Sequence, residues 1–193
     1  MNVLDYDIGD HDFMRAYKID EDICDRLIKD YEASSETHEG TIGDNSINHE
    51  YKKSRDLNLY PNDPRLNDYL DSLAQCLERY KNEYVDINER MNTWGINTKT
   101  NIQKYEPSDG YYTWHCERSG VNSSNRLLTF MTYLNDVDDD EYNGGTEWKY
   151  QKLKIKPKKG LTVLWPVDWM FTHRGIVSNK DTKYIITGWY SFI

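Results

Sequence analysis

The chain has 193 residues, with 33 Asp and Glu against 24 Lys and Arg, a formal net charge of -9. A negative surface repels phosphate backbones and anionic headgroups, which argues against nucleic acid and membrane as partners, although a local basic patch would escape the argument. Hydrophobic residues make up 37% and aromatics 13% at a mean hydropathy of -0.90, enough large side chain for one core, so disorder is excluded and a single domain over 1–193 is expected.

Residues 1–13 have neither the basic end nor the apolar run of a signal peptide, and no stretch approaches the ~18 apolar residues of a membrane span. A soluble, cytoplasmic protein is expected. Cys24, Cys76 and Cys116 are odd in number, far apart and in no CxxC pair, so neither a disulfide frame nor a thiolate zinc site is expected. From Asp20 onward Ile23, Cys24, Leu27, Ile28 and Tyr31 follow helical spacing, with Asp20 as N-cap and Ile19 as staple, which predicts a helix over 21–32. Segment 33–62 is polar and irregular and reads as a long loop or lid. Asp63 can cap and Pro64 suits a first helical position, and the stripe Leu66, Tyr69, Leu70, Leu73, Cys76, Leu77, Tyr80 and Tyr84 predicts a second helix packed on a sheet.

After about Asn97 the period changes. Short β-rich runs over 101–105, 111–117, 126–134, 152–155, 161–165 and 183–192 are separated by turn-forming segments such as Asn143-Gly144-Gly145. The expected fold is therefore α+β and mainly β: helical support and a loop over 1–96, then a β-sandwich or barrel core over 97–193. The acidic run Asp136 to Glu141 lacks the glycine and flanking helices of a calcium loop and reads as a solvated hairpin tip.

Two of the five histidines, His115 and His173, fall in the β-rich half. On a strand His115 and Glu117 would share one face and Cys116 would point away into the core. Two imidazoles and a carboxylate on one face of a small barrel form the set that holds non-haem Fe(II) with positions open for substrate and oxygen. A His-x-acid pair also arises by chance, and on spacing alone surface or hydrogen-bonded core histidines are the favoured reading. Arg174 is placed to pair with Glu117, another carboxylate or substrate.

The run Asn101–Tyr105, Trp114–Glu117, Thr132–Val137, Gly144–Trp148, Lys158–Gly160, His173–Gly175 and Lys183–Tyr184, in that order, resembles the 2-oxoglutarate and Fe(II)-dependent dioxygenases, specifically the prolyl 4-hydroxylase-like branch with its short bacterial and phage members. The resemblance covers about 100–193. It implies a double-stranded β-helix, a jelly-roll or cupin-like barrel, working in the cytoplasm of a bacterial cell or phage-infected host. It implies Fe(II) on His115, Glu117 and His173. It also implies 2-oxoglutarate as cosubstrate, with Lys183 pairing its distal carboxylate, Tyr105 and Thr146 as smaller polar contacts, and Trp189 at the site wall, where core packing is the competing role. O2 is the oxidant and ascorbate a stimulant. The implied reaction is hydroxylation of an aliphatic C–H, in a prolyl or other peptide residue or a small molecule, releasing succinate and CO2. The branch usually has Asp where this chain has Glu117, one methylene longer. Two other readings compete: a non-catalytic jelly-roll module, favoured if Glu117 fails to reach the metal, and a metal-dependent hydrolase, for which a cosubstrate clamp has no use.

Overall fold

The computed structural model describes residues 3–43, 46–138 and 141–193. In chain order the elements are strands β1 (Leu4–Tyr6) and β2 (Arg15–Lys18), helix α1 (Glu21–Glu32), strands β3 (His38–Glu39) and β4 (Arg55–Leu59), helices α2 (Asn67–Glu83) and α3 (Asp86–Glu89), and strands β5 (Trp94–Gly95), β6 (Thr100–Tyr105), β7 (Arg126–Tyr133), β8 (Thr146–Trp148), β9 (Leu153–Ile155), β10 (Leu161–Pro166), β11 (His173–Gly175) and β12 (Lys183–Phe192). Helix α1 forms as expected, with the Asp20 carboxylate accepting from the Asp22 amide. Before α2, Asp63 accepts from the Arg65 amide and Pro64 opens a single 3-10 turn that runs into the helix.

Antiparallel pairing arranges the major sheet as β1-β2-β10-β7-β12-β6-β4-β3, with β5 added on β12; a minor sheet runs β11-β8-β9. Strand alternation gives the major sheet two apolar faces. Leu57, Ile102, Leu128, Phe130, Leu164 and Ile186 face α1 and α2, where they meet Leu27, Tyr69, Leu73 and Tyr80. Tyr105, Met131, Tyr133, Val163, Trp165 and Ile185 face the minor sheet, which contributes Trp148, Leu153 and Ile155. Two sheets face to face with helices on the outer side match the expected jelly-roll. The helices cover one face; the other, between the sheets, is free to hold a site.

Three expectations are corrected. Segment 33–62 is not all loop: β4 is hydrogen-bonded between β3 and β6 inside the major sheet, and β1 and β2 likewise extend that sheet from the half expected to be helical. The buried carboxylate of Asp56 disguised β4 as polar; it is satisfied by Lys52 at 2.6 Å, Ser54 at 2.7 Å and Asn101 at 3.0 Å. Second, 111–117 is not a strand and makes only the isolated bridges Lys52↔Tyr111 and His115↔His173. Third, Cys116 is half-buried and outside both core clusters. Of the acidic run, Asp139 and Asp140 lie outside the described residues; Asp136 accepts from the Lys159 amide at 3.0 Å. The three cysteines are free thiols, and among the described residues no helix is long and apolar enough to cross a membrane.

Candidate active site

Between the sheets lies a cavity of about 1000 Å³ whose lining includes His115, Glu117, His173, Lys183, Tyr105, Thr146 and Trp189. All seven residues singled out in the sequence therefore share one chamber. Each is placed by a different device. His173 opens β11 and is wedged between Trp165 and Trp148, ring centroids 5.2 and 5.9 Å away. His115, though on no strand, is tied to it by mutual amide–carbonyl bonds of 3.0 and 2.9 Å, and the Glu117 amide donates to Val167 O at 3.1 Å. These bonds do for the irregular 115–117 segment what strand alternation was expected to do.

One donor atom from each of His115, Glu117 and His173 lies within 4.8 Å of the others. Glu117 Oε1 is 3.3 Å from His173 Nε2 and 3.9 Å from His115 Nε2. Neighbouring positions of an octahedron with bonds of ~2.1 Å are roughly 3 Å apart, so the spacing suits a single divalent ion. The tautomers suit it too. His115 Nδ1 faces Thr113 O at 3.0 Å and His173 Nδ1 faces Phe171 O at 2.9 Å. A carbonyl only accepts, so each Nδ1 carries the proton and each Nε2 offers a lone pair to the centre. Burial, then the neighbouring His173, pushes His115 down to about 4, which keeps the imidazole neutral and ligand-competent at neutral pH. Burial would raise the Glu117 carboxyl, but its close contact with His173, then His115 and Arg126, outweighs that and holds the group at about 2. Two imidazoles with Nε2 turned to the centre and one carboxylate, with open sides, fit Fe(II).

Glu117 is held by two residues the sequence did not single out together. Trp189 donates its indole N–H to Oε2 at 2.9 Å, and Arg126 stacks on that indole at 3.5 Å with Nη1 3.7 Å from the same oxygen and 2.8 Å from Glu117 O. Trp189 is thus half-buried at the site wall rather than in the core. Only Oε1 is left facing the imidazoles. The longer glutamate is steered as the sequence could not reveal, because Arg126 and Trp189 sit on strands β7 and β12 that are neighbours only in the fold. Tyr111 was also missed; it stacks on His115 at 3.7 Å and 15°, and no periodicity links residues four apart in irregular chain.

Across the cavity Lys183 is 5% exposed and has no carboxylate partner among the described residues; its ammonium stands 4.7 Å over the Tyr105 ring. Burial pushes it down to about 8. Tyr105 donates to Gln103 Oε1 at 2.7 Å, and Thr146 accepts from Tyr133 at 2.8 Å. Thr146 is delivered by the glycines before it: a Cβ on Gly145 would sit 2.3 Å from Ile155 O, so only glycine lets β8 approach β9 there. Arg174 pairs with Glu147 at 2.5 Å and stacks on Trp114 at 4.5 Å, not with Glu117. A buried cation without a counter-anion, next to a candidate iron centre, is what a small dianion requires.

Residues 100–191 match the model of the 2OG-Fe(II) oxygenase superfamily. No curated protein matches the sequence. Among solved structures, the viral collagen prolyl hydroxylase of Paramecium Bursaria Chlorella virus-1, as its 2OG complex, is 19% identical over 97% of this chain and 100% of its own, with a TM-score of 0.70. A Pseudomonas putida prolyl-4-hydroxylase is 14% identical over 94% of this chain and 93% of its own, TM-score 0.66. A Trichoplax adhaerens prolyl hydroxylase, in complex with a hypoxia inducible factor oxygen degradation domain peptide fragment, is 18% identical over 88% and 76%, TM-score 0.66. At these identities the likeness establishes the fold, and the family match establishes the chemistry class. Residues 100–191 belong to the 2OG-Fe(II) oxygenase superfamily, and the chain is a 2-oxoglutarate-dependent dioxygenase with the fold of the prolyl 4-hydroxylases.

Proposed function

We propose that the chain acts as one dioxygenase domain that hydroxylates an aliphatic C–H in a peptide, a prolyl residue being the first candidate, with release of succinate and CO2. The observation that carries this reading is Lys183, buried and without an anion in the same chamber as the His115, Glu117 and His173 donors. His115 Nε2, Glu117 Oε1 and His173 Nε2 hold the iron. When bound, the iron and its cosubstrate supply the oxidising power that activates O2 against a C–H bond. Lys183 pairs with the far carboxylate of 2-oxoglutarate, and Tyr105 and Thr146 orient it from either side through hydroxyls already fixed by Gln103 and Tyr133. Trp148 and Trp165 exclude water behind His173 and fix its ring, while Trp114 and Thr172 are among the residues that line the cavity. The peptide part of the reading is supported by the Trichoplax neighbour, whose structure contains a peptide, and by the names of the viral and Pseudomonas neighbours.

The test is incubation of the purified protein with Fe(II), ascorbate and labelled 2-oxoglutarate in the absence of a prime substrate. Slow succinate formation, stimulated by ascorbate and lost in His173→Ala, is the expected result. Failure of the wild-type protein both to turn over and to bind 2-oxoglutarate would sink the reading.

A further inference from the structure

The net charge of -9 hides a strong segregation. Residues 149–159 contain six lysines and no acid, so the rest of the chain carries 18 basic against 33 acidic residues, a net -15. This basic stretch forms the turn between β8 and β9, the edge strand β9, and the chain leading away from it. An edge strand rich in lysine is ordinarily a guard against sheet-to-sheet association, and that suffices for Lys154, which stands opposite Glu147 with Nζ 4.0 Å from its carboxylate. It does not explain the turn. There Lys149 and Lys152 make no ion pair among the described residues, and they flank an aromatic platform no guard strand needs.

In that platform Tyr150 is 55%, Trp169 63% and Met170 45% exposed, and the two rings meet edge-on at 5.9 Å. Gln151 fastens the turn to the Trp169 segment by donating to Met170 O at 3.1 Å, so the aromatics are held in place rather than left loose. Large apolar side chains exposed together mark interaction sites on soluble proteins. The patch also continues the catalytic mouth. Lys149 Nζ lies 5.8 Å from the Tyr150 ring and 5.9 Å from the Trp114 ring, and Trp114 lines the cavity.

Resting on the reading of the site as a peptide hydroxylase, we propose that the β8–β9 turn docks an acidic, aromatic-tolerant segment that flanks the hydroxylated residue of a polypeptide substrate. Lysines 149 and 152 meet the carboxylates, and Tyr150 and Trp169 cover the apolar side chains between them. Charge decides among anionic occupants. A short run of Asp or Glu fits a basic strip one turn and one strand long, whereas a nucleic-acid backbone would continue past it onto a surface carrying -15 and be repelled. Substrate choice would then combine a small chemical group in the cavity with a charge tag outside it.

The experiment uses the full chain and fluorescein-labelled Pro-containing peptides that carry a run of Glu before, or after, the proline, each with a matched Gln peptide. Binding is read by anisotropy without turnover. One Glu peptide is expected to bind at least about tenfold more tightly than its Gln match, the advantage shrinking as ionic strength rises toward ~0.3 M. Lys149→Glu with Lys152→Glu should abolish the advantage at an unchanged melting temperature, and Trp169→Ala should weaken both peptides of the pair. Equal binding of Glu and Gln peptides overturns the proposal, as does an advantage the lysine variants retain. A single-stranded oligonucleotide that displaces the peptide at lower concentration overturns it in favour of nucleic acid. Because binding and succinate formation are read separately, docking without turnover refutes the hydroxylase reading, and turnover without docking refutes only the surface.

Discussion

Lys183 illustrates a residue that weakens the fold for the sake of a ligand. In an unfolded chain its ammonium ionises near 10.4, and in the cavity burial pushes it down to about 8. Between those values the unfolded chain binds more protons, so stability rises with pH there; the penalty, on the order of 3 kcal/mol, is fully present below pH 8. Lys183→Met is therefore expected to raise the melting temperature of the ligand-free protein at pH 7, with the gain vanishing as the pH approaches 10.5. The same variant should lose the thermal shift that 2-oxoglutarate gives the wild type. An unchanged melting temperature at pH 7 would mean that the ammonium already has an anionic partner.

Glu117 carries the second argument at this scale. Its extra methylene adds a torsion that the Trp189 N–H and the stacked Arg126 restrain, leaving one oxygen toward the imidazoles. A hydrogen bond to a charged acceptor contributes about 1.5–3 kcal/mol. Trp189→Phe should thus weaken Co(II) binding, measured by titration, by about tenfold or more. In a Glu117→Asp background the shorter carboxylate falls short of the indole, and the same substitution should have little effect. Additive losses in the double variant would show that Trp189 acts only by packing.

Elements with a clean period were legible, and those that owe their place to long-range pairing were not. Helices α1 and α2 showed in the apolar spacing of Ile23 to Tyr31 and Leu66 to Tyr84, and β6, β7, β10 and β12 in runs dense in β-formers. Strand β4 was hidden because Asp56 sits where an apolar residue is expected, and only the fold brings Lys52, Ser54 and Asn101 to satisfy it. The 111–117 segment erred the other way. Its Tyr and Thr content suggests a strand, yet its backbone is used by Lys52, His173 and Val167 at single points instead of a ladder. The candidate site survived this error because the His115–Glu117 spacing matters through the positions of the side chains, which the bridges to β11 fix independently. What stayed illegible was the support of Glu117, divided between two strands with 62 residues between Arg126 and Trp189.

At the scale of the whole molecule, the layers separate tasks. Helices α1 and α2 cover one face of the major sheet and touch nothing in the chamber, so the opposite face can carry Lys183, Gln103, Tyr105 and Trp189 at the expense of apolar packing. The charges are separated as well: a body at -15, a basic turn, and a cavity holding the buried Lys183, which has no carboxylate partner among the described residues. This predicts opposite salt effects on the two ligands. A dianion approaching from beyond ~10 Å meets the repulsion of the body before the attraction of the cavity, and the buried attraction is screened far less than the surface repulsion. Raising ionic strength should therefore speed association of 2-oxoglutarate with the Mn(II)-loaded protein, measured by stopped-flow tryptophan fluorescence. The acidic peptide meets the basic turn first, and its association should slow under the same change. If both rates fell together with salt, the field of the cavity mouth rather than that of the body would govern encounter, and the -9 of the chain would be irrelevant to cosubstrate capture.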